Sequence, residues 1–409
     1  MKRILDYSAF LHTALMNKNF FNAFRFSATL KEPINPIVLQ QAVNQTLHRY
    51  PLIYTKLTKD TFWYYLESLD ALTVEEDTKQ IFSYVNYHSI YDKAVSVLYK
   101  DKTITIEMFH SVSDGGGAIP FFKELIKQYL HIVSDGEVGS VIYTATFTES
   151  ELEDSFASVD VKKYSKVKKI NLSNTYQFAS SIKNNPIYVR RYTVEVNDIK
   201  EVAKKHSGKI NELLLTMFYK AIDRFKGNDT RNICLLSPVN LRQHFASKTL
   251  RNFTLCASIL FTDSHKYLPY NKMFEEIRNQ MNIQNTKENM GNEIRKLGNI
   301  HRNRLVGICP TWLKNIGVSL VYRLIGEKSC LTVSNLGRIG FDDETVANSI
   351  EEMSVTLSPR YSTPLNCGII SIHNKLIISV SHDGLQERLF KELEKEFEVL
   401  NIPYIISEV

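Results

Sequence analysis

Two hydrophobic periodicities alternate along this chain, and the switches between them mark its elements. Over residues 20–30, Phe20, Phe24, Phe26, Ala28 and Leu30 fall on one side at period two, which predicts a strand. Residues 6–17 before it suit a helix. After it, Asn35-Pro36 predicts a helix start, with Asn as the cap and Pro at the first helical position, where its missing N–H costs nothing. Leu39, Ala42, Val43 and Leu47 make the apolar stripe of that helix, and Pro51 ends it. Two strands near 52–58 and 61–67 precede a polar loop through residue 80. Residues 94–100 and 102–109 predict strands joined by a tight polar turn, and a helix follows over 118–133.

Residues 134–184 are polar and lysine-rich with weak periodicity, and read as a linker. Beyond them a strand is predicted at 187–196, a helix capped by Asn197-Asp198, and a strongly amphipathic helix over 210–226. Strands follow at 232–239 and 254–261, helices near 270–289 and 311–325, and strands near 330–335 and 352–358. A hairpin at 367–372 and 375–381 and a helix over 385–400 close the chain. The halves end alike: strand, turn, strand, a His, Asp-Gly, then a helix containing Phe-Lys-Glu-Leu, once at His110 to Leu125 and again at His382 to Leu393. Either this is one α/β unit used twice with a cleft between the copies, or it is the coincidence of a common helical word after a common hairpin.

Composition narrows the classes. The chain has 409 residues, 44% hydrophobic and 23% charged, which excludes a disordered chain, a collagen and a long coiled coil. Its formal net charge of +6 suits a phosphate-bearing ligand without arguing for nucleic acid. Its 21 Tyr and 22 Phe imply a substantial core and some pocket wall. Five cysteines, Cys234, Cys256, Cys309, Cys330 and Cys367, form no C-x-x-C. A disulfide framework and a zinc knuckle are therefore not expected, and a reducing, cytoplasmic compartment is. Asp6, His12 and Asn17 interrupt any apolar leader, and no run of apolar residues is long enough for a transmembrane helix.

The chemistry concentrates at His110-x-x-x-Asp114-Gly115, between a predicted strand and a predicted helix. A His at a strand end can be aimed into a cleft, where a neutral imidazole nitrogen takes a proton near pH 7. Asp114, at the foot of the same turn, is placed to pair with an Arg and hold the loop. Gly115, Gly116 and Gly117 permit unusual dihedrals and close backbone approach. The bland reading is a loop His with glycines for turning. His382-Asp383-Gly384 is a rival base, but its adjacent Asp gives a different turn, and it reads as the decayed counterpart of the first site. Ser111 and Ser113 lack a G-x-S-x-G context, and the eleven His show no metal-ligand spacing. Lys162, Lys163, Lys166, Lys168 and Lys169 can attract the phosphates of a cofactor or an acidic carrier protein, or be plain solvated surface. The ring-rich stretches at Phe20–Phe26 and Phe62–Tyr65 read as core before channel wall.

On these residues the chain resembles the CoA-dependent acyltransferase superfamily: chloramphenicol acetyltransferase, alcohol O-acetyltransferases, polyketide-associated and plant BAHD acyltransferases, and condensation domains of nonribosomal peptide synthetases. LQQAVNQTLHRYPLI, the His110 loop, PVNLR at 238–242 and SNLG at 334–337 fall in the family's order over nearly the whole chain. Phe109 stands where condensation domains carry a first histidine, and the plant D-F-G-W-G motif is absent. A chloramphenicol-type enzyme is about half this length with its signature near the C-terminus. The pattern is most similar to bacterial alcohol acetyltransferase-like proteins.

The resemblance implies two chloramphenicol acetyltransferase-like lobes, each a mixed sheet covered by helices, pseudo-duplicated with a tunnel at their interface. The lobes are expected at 1–170 and 185–409, with the linker inside 134–184. It implies His110 as general base, Asp114 as structural aspartate paired with Arg242 or, as second choice, Arg49, and Gly115 as the loop glycine. Asn335 in SNLG is similar to positions near the thioester carbonyl, or it closes a strand-end turn before Gly337. The implied activity moves an acyl group from a CoA thioester to an alcohol or amine, with no permanently bound cofactor and no metal. The alternatives are a condensation-type synthase fed by acyl-phosphopantetheine on a carrier protein, and a non-catalytic member that binds a ligand or partner.

Overall fold

A computed structural model describes the chain apart from residues 18–20, 140–146, 166–170, 173, 180–185, 302–303, 326–327 and 360–362. For 297–301, 304–305 and 323–325 only the backbone is described. In chain order the N-terminal elements are β1 (Lys2–Ile4), α1 (Tyr7–Ala14), β2 (Ala23–Leu30), α2 (Pro36–Leu47), β3 (Thr55–Lys59), β4 (Tyr64–Ser68), β5 (Val74–Glu76), β6 (Val95–Lys100), β7 (Thr103–Phe109) and α3 (Gly115–Val133). The short helices α4 (Glu149–Leu152) and α5 (Ser155–Ser158) lie where a bare linker was expected.

The second half runs β8 (Tyr188–Glu195), α6 (Val196–Lys205), α7 (Ile210–Lys226), β9 (Ile233–Asn240), α8 (Arg242–Phe245), β10 (Thr254–Phe261), α9 (Tyr270–Gln284), α10 (Lys287–His301), α11 (Arg304–Gly307), α12 (Thr311–Ile325), β11 (Leu331–Arg338), α13 (Glu344–Asn348), β12 (Ile350–Leu357), β13 (Asn366–Ile372), β14 (Lys375–His382), α14 (Glu387–Val399) and β15 (Ile405–Glu408). The cap of α6 is Glu195, so Asn197 and Asp198 sit in its first turn instead of preceding it. The helix predicted over 270–289 is two helices, parted at Asn285.

Asn35 caps α2 as expected: its Oδ1 accepts from the N–H groups of Ile37 and Val38, and Leu39, Ala42 and Val43 turn inward. β2 departs from a simple one-sided strand, because both of its faces are buried. Phe24 and Phe26 enter the apolar core, each worth about 1.5–3 kcal/mol of burial. On the other face Arg25 stands opposite Glu107 of β7 and donates to it at 2.8 Å, and Ser27 meets Thr105 at 2.9 Å. Matched polar partners across the ladder let a strand with alternating polar residues be covered on both sides.

The described residues form three sheets: β1-β4-β3; a mixed seven-stranded sheet in the order β10-β9-β11-β13-β14-β8-β15; and a five-stranded sheet in the order β12-β2-β7-β6-β5. α7 and α14 pack together on the seven-stranded sheet, where Arg224 joins Glu392 and Glu396. The duplicated word is structural as well. β6–β7–His110–α3 and β13–β14–His382–α14 are the same hairpin, turn and helix, once in each lobe. The lobes are not self-contained, however. β12 lies within 185–409 in sequence but pairs antiparallel with β2, Leu357 opposite Phe24 and Met353 opposite Ala28. It then packs on β13, where a Cβ at Gly368 would overlap the Val355 carbonyl oxygen. One hydrophobic core accordingly runs from Phe24 and Phe26 through Val355 to Ile370 and Ile377.

Candidate active site

β7 ends at Phe109, whose side chain is buried, so the next residue in the alternation points the other way, towards the seam between the lobes. That residue is His110. It is half-buried, and its backbone N–H donates to the Asn22 carbonyl at 2.7 Å. The edge of its ring meets Phe24 at 5.3 Å, and the ring of His12 from α1 lies 4.4 Å away between centroids. His12 is oriented in turn by the Asn22 amide at its Nδ1 and by the Ser8 hydroxyl, 3.3 Å from its Nε2.

The Nδ1 atom of His110 lies 2.9 Å from Oδ1 of Asn252, a residue of the other lobe. The Asn252 oxygen is an acceptor, so this contact is a hydrogen bond in the tautomer whose proton is on Nδ1, which is the one a base acting through Nε2 requires. Asn252 is 2% exposed, and its Nδ2 is buried with no hydrogen-bond partner among the described residues, a cost of about 1–3 kcal/mol. Nothing in the sequence singled Asn252 out. It sits in an aperiodic loop, and only the tertiary fold brings it to the imidazole.

What holds Asn252 there is the Asp114–Arg242 pair. Asp114 caps α3, accepting from the Gly117 N–H at 2.8 Å, and is ion-paired with Arg242 at 3.0 Å. The same carboxylate accepts from the Phe253 N–H at 2.7 Å and the Thr254 hydroxyl at 2.8 Å. Arg242 also donates to the carbonyls of Thr249 and Arg251, at 2.7 and 2.6 Å, and to Asn240 Oδ1 at 3.2 Å. Asp114 therefore holds both neighbours of Asn252 through the backbone, Phe253 directly and Arg251 by way of Arg242. Burial, the largest influence on its carboxyl, pushes the pKa up, but Arg242 and the hydrogen bonds from Phe253 and Thr254 outweigh it and hold the group below the usual carboxylate value. Arg251 completes the splint: it donates to the Ile4 carbonyl at 2.8 Å and lies 3.4 Å from Asp6, the cap of α1.

Arg49, the second choice for Asp114, is engaged elsewhere. It makes a bidentate pair with Glu151, at 2.6 and 3.1 Å. Of the two uses expected of the glycines, the structure shows close approach and not unusual dihedrals. Gly115, Gly116 and Gly117 form the first turn of α3, and none has positive φ. Their lack of side chains is what matters. A Cβ at Gly117 would overlap the Leu250 carbonyl and the Ser113 hydroxyl, and one at Gly116 would sit 3.0 Å from Arg242. A Cβ at Gly115 would press on Leu336, at 3.2 Å, which brings SNLG against the loop. Asn335 itself closes a turn: its Oδ1 accepts from the N–H of Gly337, whose φ is +72°, at 2.9 Å, and its Nδ2 donates to Asn211.

The second histidine has no comparable setting. His382 is 2% exposed, packed between Phe390 at 4.6 Å and Tyr188 at 5.6 Å. Its Nδ1 accepts from the Gly384 N–H at 3.1 Å, and burial lowers its pKa. It caps its own turn and offers no route for a reactant. Of the lysine cluster, Lys162 and Lys163 are exposed, with Lys163 3.4 Å from Asp160, while Lys166, Lys168 and Lys169 lie outside the described residues, as does Phe20. All five cysteines are free thiols, and no metal-binding group of side chains occurs among the described residues. A cavity lined by Lys31, Ile350, Glu351 and His373 lies at the far end of β2 from His110.

No protein-family model and no curated protein sequence matches the chain. Solved structures do. Polyketide synthase associated protein 5 from Mycobacterium tuberculosis is 14% identical, with a TM-score of 0.65 over 98% of this chain and 96% of that one. TRI101 of F. sporotrichioides, solved with coenzyme A and T-2, is 12% identical, with a TM-score of 0.62 over 99% of both chains. The condensation domain from the monacolin K polyketide synthase MokA is 11% identical, with a TM-score of 0.59 over 98% and 96%. From end to end, the chain shares the fold of these three structures.

Proposed function

We propose that the protein transfers an acyl group from a CoA thioester to an alcohol or amine, with His110 as the general base. The observation that carries this reading is the half-buried His110 at the lobe seam, its Nδ1 turned to Asn252 Oδ1. In this mechanism Nε2 takes the acceptor's proton as its oxygen or nitrogen attacks the thioester carbonyl. The C–S bond of the tetrahedral intermediate then breaks, and the imidazolium protonates the departing thiolate. Such a base contributes roughly 10²–10⁴-fold. Asp114 and Arg242 act on this chemistry by keeping Asn252 in place. Asn335 is assigned to shaping the end of β11, since its amide is used in the turn. TRI101 supports a free CoA donor, having been solved with coenzyme A, and the single histidine before x-x-x-Asp-Gly supports it too.

Thiol release from acyl-CoA, assayed across alcohols and amines, tests the reading. His110→Ala is expected to abolish turnover by at least about a hundredfold while leaving thermal unfolding unchanged. Turnover only with an acyl-carrier protein would move the assignment to a condensation-type synthase. No thiol release with either donor, alongside thermal stabilisation by CoA, would make the protein a binding member of the fold.

A further inference from the structure

α12 is built inside out. Its inward arc is largely polar, with Val318 packed on the core: the Thr311 N–H donates to the Thr61 carbonyl at 2.8 Å, and the Asn315 amide donates to the Tyr64 hydroxyl at 2.7 Å. Lys314, only 5% exposed, donates to the Phe62 carbonyl at 2.7 Å, its ammonium 3.6 Å from the Trp63 ring centre. Its outward arc is apolar. Trp312 is 64% exposed, Leu313 45%, Ile316 57%, Leu320 57% and Val321 47%, with Ile308 at 70% just before the helix. At 100° per residue, Trp312, Ile316 and Leu320 form one row with Leu313 beside it, and Val321 lies further round on that side. A soluble surface helix has the reverse arrangement, and a contiguous apolar patch of this kind marks an interaction surface.

The charge of the region selects the partner. Besides the inward-facing Lys314, the sequence between Ile294 and Gly326 carries Arg295, Lys296, Arg302, Arg304 and Arg323, and no Asp or Glu. A second copy docked on the same face would set one basic segment against another. An anionic lipid surface matches both the apolar row and the charge, and Trp is the residue that favours the headgroup level. The helix is 15 residues long, and no helix among the described residues is long and apolar enough to cross a membrane, so the match is to lying in the interface.

We propose that the outward face of α12, with Ile308, is a docking surface for an anionic membrane. α12 packs on α1, the helix that carries His12 beside His110, so docking brings the bilayer to the N-terminal wall of the candidate active site. The docking does not depend on the acyltransferase reading.

The full-length protein sedimented with vesicles of equal parts phosphatidylcholine and phosphatidylglycerol provides the test. It is expected to pellet with them, to bind phosphatidylcholine vesicles more weakly, and to be released by high salt. The double variant Ile316→Asp/Leu320→Asp, altered only at exposed positions, is expected to lose about tenfold or more in vesicle binding while unfolding at the wild-type temperature. Undiminished binding by that variant overturns the proposal. So does the absence of vesicle binding in the wild type, whether or not light scattering shows a dimer that the variant abolishes.

Discussion

The Oδ1 atom of Asn252 stands 2.9 Å from the Nδ1 atom of His110, across 142 residues of chain and from the opposite lobe. This contact favours the tautomer with its proton on Nδ1, and it makes a distinctive prediction. Asn252→Asp keeps an acceptor in place but adds a negative charge, which stabilises the imidazolium and raises the pKa of His110. The acidic limb of the kcat/KM profile, where the base loses activity by protonation, is expected to move to higher pH. Asn252→Leu removes the acceptor, and turnover is expected to fall roughly a hundredfold, as when a base is left without its orienting partner. A profile unmoved by Asn252→Asp would show that Asn252 does not govern the base.

The Asp114–Arg242 pair has a signature in stability. The folded-state pKa of Asp114 lies below the 3.8 of an unperturbed aspartate, so the unfolded chain binds the proton more readily. The contribution is complete above that value and is lost as pH falls through the folded-state pKa. Asp114→Asn is expected to cost about 3 kcal/mol near neutral pH, because Arg242 is left buried and uncompensated. In urea unfolding, the gap between wild type and variant is expected to narrow below about pH 4. A gap constant down to pH 3 would contradict the pairing.

Gly117→Ala tests whether the glycine run serves packing or backbone freedom. The residue has ordinary helical geometry, so alanine alone would favour the helix by about 1 kcal/mol. The Leu250 carbonyl occupies the place of the new methyl group, however, and the clash is expected to win, destabilising the protein by about 1–3 kcal/mol. Because Leu250 lies two residues before Asn252, activity is expected to fall along with stability. A more stable, fully active Gly117→Ala would place the glycines' role in the turn alone.

Much of this frame is visible in the linear chain because its signals are local. Asn35-Pro36 caps a helix by its own side chain, and His110, Asp114 and Gly115 share one turn whose residue types and spacing speak for themselves. Arg242 was reachable because it closes the stretch PVNLR. Asn252 was not, since an Asn in an aperiodic loop gives no sign of which distant group it will meet. The three-residue strands β1 and β5 and the terminal β15 are too short or too exposed to show a period of two. The glycine run signals either unusual dihedrals or close approach, and only the fold shows which, since the group that approaches is a carbonyl 133 positions downstream of Gly117. The outward face of α12 also lay beyond sequence, because a helical period says that two faces differ but not which one the protein will cover.

β2 and β12 pair across about 320 residues, and this sets an order of events during synthesis. When the first two hundred residues have left the ribosome, the outer edge of β2 still shows its unpaired backbone groups, and the strand that completes it has yet to be made. The nascent N-terminal portion therefore emerges with an adhesive margin, and a chain cut short before Ile350 keeps it. Premature termination between β2 and Ile350 is thus expected to yield sticky polypeptide, and a lone N-terminal half is a poor candidate for separate expression.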